Sequence, residues 1–274
     1  MTKITTLDSG LRIVTQNMPG LETVAMGIWN SVGGRDELAN VNGVAHFLEH
    51  MAFKGTTTRS ALQIAETIEN VGGDINAYTS KEITAYYVKL IAEDLPLGID
   101  ILTDILQNSS FIEDELNRER GVILQEIGMY LDTPDDMIFD YWQDKAYPNQ
   151  PMGRSILGKT DIIKNITREQ VKDFMSSHYN PKKMIVSAAG KINHSSFVES
   201  IKKVCNNLPN GTNNIRIKAN YNSVSNTMMC TKLSNEYNSR TVIDIQDTNK
   251  DTIKQLSDSK SLLDGISLIY KKFP

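Results

Sequence analysis

The period of apolar and polar positions changes several times along the chain, and each change predicts an element. Residues 4–7 and 11–16 carry β-type side chains around a turn at Asp8-Ser9-Gly10, which predicts a hairpin. A third strand is predicted over 23–30, leaving through the two glycines of Val32-Gly33-Gly34-Arg35. From 44 to 53 the apolar positions fall at helical spacing. A second helix follows over about 60–70, with Ser60 as its cap and Gly72-Gly73 as its stop. Residues 74–79 and 84–90 then alternate as a second hairpin around Ser80-Lys81-Glu82. Helices are predicted over 95–107, 113–131, 136–145 and 167–178, the last with Thr167 as cap and Gln170 three residues on. Asn180-Pro181 stops it, 184–190 reads as a short buried strand, and 194–208 as an amphipathic helix. Hairpins rather than strict strand-helix alternation predict an α+β fold with a largely antiparallel sheet packed against helices.

From 206 to 238 the texture changes, with ten asparagines in thirty-three residues and few large apolar side chains. This predicts a linker or disordered tail. Helical periodicity returns over 251–270 through Ile253, Leu256, Leu263 and Ile266. The expected division is a catalytic domain at 1–209 and an asparagine-rich linker with a short tail at 210–274.

With 274 residues, 40% of them hydrophobic, the chain is long enough to bury a sizeable core. A net charge of −4 leaves no basic field for nucleic acid or an anionic membrane, so neither is an expected partner. The start, Met1 to Asp8, has no apolar run behind a basic cluster, which predicts a soluble, unexported, cytoplasmic protein. Cys205 and Cys230 stand far apart and are expected as free thiols.

Chemistry concentrates in one string, His46-Phe47-Leu48-Glu49-His50. Positions i, i+3 and i+4 share a helix face, so both imidazoles and the carboxylate point together. Neutral imidazole nitrogens suit zinc, whose catalytic sites use three protein ligands and keep a fourth position for water. Glu49 beside that position is placed to act as general base. The spacing is a metalloprotease signature. A third ligand must come from elsewhere, and the 113–131 helix offers several carboxylates. Ile112, Leu116, Ile123, Ile127 and Tyr130 mark one stripe, on which Glu119 and Glu126 fall. A carboxylate on a core-facing stripe needs a cation or hydrogen-bond donors, which metal binding or support of the metal site supplies. Glu113 and Glu115 are first-turn residues favoured by the helix dipole. His178 and His194 are expected at the surface, Met129 as ordinary helix packing, and Trp29 and Trp142 as core or interface packing. No phosphate loop, Gly-x-Ser-x-Gly elbow or Cys-His nucleophile pair is visible.

At these residues the chain resembles the amino-terminal half of pitrilysin-family (inverzincin) zinc metallopeptidases, the group of the mitochondrial processing peptidase and its bacterial relatives. The strings that carry the resemblance are Ser31 to Glu37, His46 through Thr56, Gly72 to Thr79, and Arg118 to Ile127. The resemblance implies that His46, His50 and Glu126 bind one Zn2+, that Glu49 is the base, and that Glu119 supports the site from behind the ligands. It also implies that the strand holding Asn76 and Ala77 binds extended substrate by edge pairing. It covers about residues 3–220, whereas family members continue with a second, similar half that closes over the substrate. The expected function is that of a zinc endopeptidase acting on extended peptides or unfolded segments. The alternative is a truncated, inactive or scaffold relative needing a homologous half or partner subunit.

Overall fold

The computed structural model describes residues 1–205, Leu208, Gly211, Arg216 and 218–220, together with the backbone of two strands at 228–233 and 240–245. Chain contacts group it into two units, 1–125 with 155–217, and 126–154 with 218–274. This cut differs from the division expected at 209/210.

The first unit is built on a six-stranded sheet. Its strands are β1 (Thr2–Thr6), β2 (Arg12–Asn17), β3 (Thr23–Asn30), β4 (Asp74–Thr79), β5 (Thr84–Ile91) and β6 (Met184–Gly190), in the spatial order β1-β2-β6-β3-β5-β4. All neighbours are antiparallel except β2 and β6, which run parallel, so the sheet is mixed and largely antiparallel. Both expected hairpins are present as β1-β2 and β4-β5. The late strand β6 slots between β2 and β3 and joins them.

Alternation decides the buried face. Val24, Met26 and Ile28 of β3, Tyr86, Val88 and Leu90 of β5, and Val186 of β6 are all buried there. Helices cover this face: α1 (Val44–Ala52) packs on β4, α2 (Ala61–Glu69) also packs on β4, and α3 (Leu95–Asn108) packs on β3 and β5. Gly98 of α3 lies so close to Leu90 and Val88 that an added Cβ would stand 2.7 and 2.9 Å from their side chains. Then come α4 (Glu113–Leu131), α5 (Pro134–Ala146), α6 (Thr160–Asn165), α7 (Arg168–His178) and α8 (His194–Val204). Of these, α7 packs on α1, and α8 packs on α3 and β2. Both expected caps form, Ser60 and Thr167; the expected pairing of Thr167 with Gln170 is a capping box, and Ser60 makes a second one with Gln63. The opposite face of the sheet carries the edge-to-face cluster Trp29, Tyr78 and Tyr87.

In the second unit α5 lies against β7 (Met228–Leu233), which pairs antiparallel with β8 (Arg240–Ile245). Two strands thus form in a stretch read from composition as linker and tail. The expected helix at 251–270 lies outside the described residues. Among the described residues no helix is long and apolar enough to cross a membrane.

Candidate metal centre

Helix α1 starts in an unusual way. Its first flanking residue, Gly43, sits at φ 97, and an added Cβ would stand 2.6 Å from Ile163 and 2.8 Å from the Leu157 carbonyl oxygen. Only glycine fits, and glycine brings no side chain to cap the helix. Glu37 does this from six residues upstream. Its Oε2 accepts from the Gly43 N–H (2.9 Å) and Asn42 Nδ2 (2.8 Å), and its Oε1 from the Ala45 N–H (2.8 Å). The carboxylate is buried, 3% exposed, at the positive end of the helix dipole. Val44, Ala45, Phe47, Leu48, Met51 and Ala52 seat the rest of the helix in the core.

That seating turns His46 inward, 8% exposed, and leaves Glu49 and His50 half-buried. The two Nε2 atoms lie 3.2 Å apart. Two nitrogens about 2.0–2.1 Å from one tetrahedral zinc would stand roughly 3.3 Å apart, so the spacing suits a shared ion. Burial, then the neighbouring His50, pushes His46 down to about 4, which keeps its imidazole neutral at ordinary pH. His50 Nδ1 donates to Glu119 Oε2 at 2.9 Å, which fixes the tautomer and leaves Nε2 its lone pair. Lys54 Nζ reaches the other oxygen of Glu119 at 2.8 Å. Burial alone would raise the Glu119 carboxyl, but hydrogen bonds from Lys54 and His50 outweigh it and hold it below the usual range.

Glu126 stands seven residues beyond Glu119 on the unbroken helix α4, two turns along the same face. One ligand atom from each of His46, His50 and Glu126 lies within 4.8 Å of the others. Two imidazoles and a carboxylate make a donor set of the kind catalytic zinc uses.

Beneath the helix, the buried hydroxyls of Tyr86 and Tyr179 share a hydrogen bond of 2.8 Å. Burial raises both phenols well above their ordinary value, and the charge of Glu49 adds to the effect. Both rings therefore stay protonated near the carboxylate. Beside α1 runs β4, the edge of the sheet, with Asn76 exposed, Ala77 buried and the Ala77 N–H donating to Asn76 Oδ1 at 2.8 Å. The loop leaving α1 is tied down by Asp104, whose Oδ2 accepts from Thr56 (2.7 Å), Thr58 (2.8 Å) and Arg59 (2.8 Å).

The structure thus brings His46, His50, Glu119 and Glu126 together and puts Asn76 and Ala77 on an edge next to α1. On the α4 stripe Leu116, Ile123 and Ile127 are buried, but Ile112 is 49% exposed because it precedes the helix. Met129, expected to pack, is exposed, and so is Trp142. His194 is half-buried and held between the hydroxyls of Thr5 and Thr15, each 2.8 Å away, and His178 stacks on Phe174. Sequence reasoning missed Glu37. Its signal was an acid in the Asp36-Glu37 pair after Gly33-Gly34 and before a helix start with no Ser, Thr, Asp or Asn at the cap.

Residues 12–160 match the model of insulinase (peptidase family M16), and residues 165–253 match that of the peptidase M16 inactive domain. The mitochondrial-processing peptidase subunit beta of Homo sapiens is 45% identical over 201 residues, covering 73% of this chain and 41% of that protein. An uncharacterized zinc protease of Rickettsia felis is 41% identical over 218 residues, covering 80% of this chain and 53% of that one. The crystal structure of a protease from Helicobacter pylori aligns with a TM-score of 0.74 at 28% identity, over 81% of this chain and 54% of that one. The chain spans about half the length of the Rickettsia and Helicobacter proteins and less than half of the mitochondrial one.

Proposed function

Because this chain belongs to the insulinase family of peptidases, family M16, we propose that it carries the zinc-binding catalytic half of an endopeptidase for extended peptides. In this reading His46, His50 and Glu126 hold one zinc ion, Glu49 is the general base, and Asn76 and Ala77 receive substrate. The observation that carries it is the convergence of His46, His50 and Glu126, with Glu119 holding His50 in the tautomer a ligand needs.

Zinc held by this set would polarise a water and the peptide carbonyl it attacks. Glu49, on the same face of α1, takes the proton of the water and returns it to the leaving nitrogen. The phenols of Tyr86 and Tyr179 stay neutral below it, so no second negative charge opposes that of Glu49. An extended peptide added beside β4 has its main chain fixed by strand pairing, with little demand on its sequence. To pair there it displaces Asn76 Oδ1 from the Ala77 N–H.

The span of the relatives supports a further part of the reading: a second half, or a partner subunit of similar fold, closes over this site. Closure excludes water and orders the peptide, so the chain alone should turn over slowly and a partner should raise its rate. The scaffold alternative fits less well, since every chemical position of the motif is in place. The deciding experiment measures metal content and hydrolysis of a peptide set together, with and without a separately expressed second half. Stoichiometric zinc retained by the His46→Ala, His50→Ala double variant would overturn the ligand assignment.

A further inference from the structure

The candidate site depends on two pieces being held at a fixed separation: α1, which carries the metal-binding face, and β4, the edge that faces incoming chain. Between them lies a short 3-10 turn, Gly34–Asp36, that follows β3. This turn is joined to the β4-β5 connection by backbone, since the Gly34 N–H donates to Ser80 O (3.1 Å) and the Arg35 N–H to Lys81 O (2.8 Å). An added Cβ at Gly33 would stand 2.3 Å from the Ser80 oxygen, so the approach is closer than a side chain permits. On its other side the turn leads directly into Glu37, the cap of α1. Residues 33–37 are therefore the junction through which the edge strand and the metal helix share a position.

A side chain from far along the sequence closes this junction. Arg216 Nε donates to Asp36 Oδ1 at 2.9 Å and its Nη2 to Asp36 Oδ2 at 2.7 Å, a bidentate pair. The same Nη2 reaches the Glu82 carbonyl oxygen at 2.5 Å, and Nη1 lies 3.6 Å from the Glu82 carboxylate. Asp36 Oδ2 also accepts from the Gly33 N–H at 2.9 Å. Arg35 pairs with Glu82 as well. The Asp36 side chain is 8% exposed and that of Arg216 25% exposed, so water screens the pair only partly. Five positions before Arg216, the Gly211 N–H donates to Tyr179 O at 3.0 Å and Asn180 Nδ2 donates to Gly211 O.

The geometry points to Arg216 as a positioning residue that clamps the β4-β5 connection to the turn at the head of the metal helix, and so sets where the edge strand stands relative to the zinc face. The guanidinium does this with three hydrogen-bond acceptors, two on Asp36 and one on Glu82, and a longer ion pair to the Glu82 carboxylate, a task that one Lys ammonium cannot duplicate in geometry. The clamp comes from the part of the chain that matches the inactive-domain model, so that part would take no role in the chemistry yet would hold the substrate edge in place. This inference rests on the peptidase reading for its functional half, though not for the clamp itself.

The test uses the full chain loaded with zinc, in the parent and in Arg216→Ala and Arg216→Lys, with Glu49→Gln added where peptide binding is measured. Amide exchange over 79–84 and 33–36 should quicken about tenfold in Arg216→Ala while exchange in α3 stays as it was. Affinity for an extended, dye-labelled peptide, read by fluorescence anisotropy, should fall about tenfold, with zinc affinity in a chelator competition unchanged. Arg216→Lys should lie between. Unchanged exchange over 79–84 would overturn the clamp, and so would zinc affinity falling in step with exchange, which marks general loosening. If the parent holds zinc but binds no peptide, the peptidase reading fails instead, and the exchange comparison alone decides the clamp.

Discussion

The sheet has two edges, β1 and β4, and they are alike in the features that make an edge. Each is a short strand paired on one side only, β1 exposed at four of its five residues and β4 at three of its six. Either could accept an added strand on backbone grounds. Their surroundings differ. Beside β1 stands His194, fixed between Thr5 and Thr15, with no carboxylate or second imidazole in that contact. Beside β4 stands α1, whose His46, Glu49 and His50 share a face. A pairing edge is therefore common, and in the proposed reading what singles out β4 is the helix packed against it.

The most severe way to break the contrast is to leave β4 intact and disable the chemistry next to it. Glu49→Gln should lower peptide hydrolysis by about 10²–10⁴-fold while zinc stays bound, because it removes a base and no ligand. Loss of zinc in that variant, by metal analysis, would move Glu49 among the ligands. Next in size is Glu119→Gln. Its amide cannot hold both His50 Nδ1–H and Lys54 as the carboxylate does, so zinc affinity should fall about 10–100-fold. A chelator titration reads this directly, and an unchanged affinity would reduce Glu119 to packing.

The contrast is sharpened by probing both edges at once. An extended peptide bound to the zinc-loaded Glu49→Gln protein should slow amide exchange over 74–79 by about tenfold and leave 2–6 untouched. Equal protection of both edges would mean that the metal helix has no part in choosing. The smallest effect concerns the loop leaving α1. Burial tends to raise the Asp104 carboxyl, but hydrogen bonds from Asn108, Thr56, Thr58 and Arg59 prevail and depress it. Its folded value lies below its unfolded one, so its stabilisation is complete above the unfolded value and is lost as pH falls through the folded one. Denaturant melts from pH 6 downward should show Asp104→Asn with a shallower acid slope, by at most about 1.4 kcal/mol per pH unit. An identical slope in both proteins would show that the carboxylate contributes nothing there.

Much of this was legible in the sequence where the cause is local. Strands 74–79 and 184–190 and helix 113–131 coincide with the structure because alternation, flanking glycines and helix caps act within a few residues. The His46, Glu49, His50 face was legible because three residues on one helix need nothing else to meet. The rest depends on distance along the chain. That β6 pairs parallel with β2 follows from packing across some 170 residues, not from its own seven. Glu37 was missed because its acceptors are used by a helix that begins after another 3-10 turn, Ala39–Val41. Arg216 carried no signal at all, since it sits among asparagines that read as linker. Strands β7 and β8 were missed for the same reason.

The position of β6 also bears on how the protein is made. Residues 46, 49, 50, 119 and 126 have all left the ribosome before Met184, yet β6 alone joins the β1-β2 hairpin to the β3-β5-β4 group. Until that strand emerges, β2 and β3 each present an unpaired rim, a form prone to sticking to neighbours or to needing a chaperone. Nascent chains stopped short of Met184 would then hold every group of the zinc site and still fail to keep the metal. Competence would arrive late in synthesis, when one strand fills the seam.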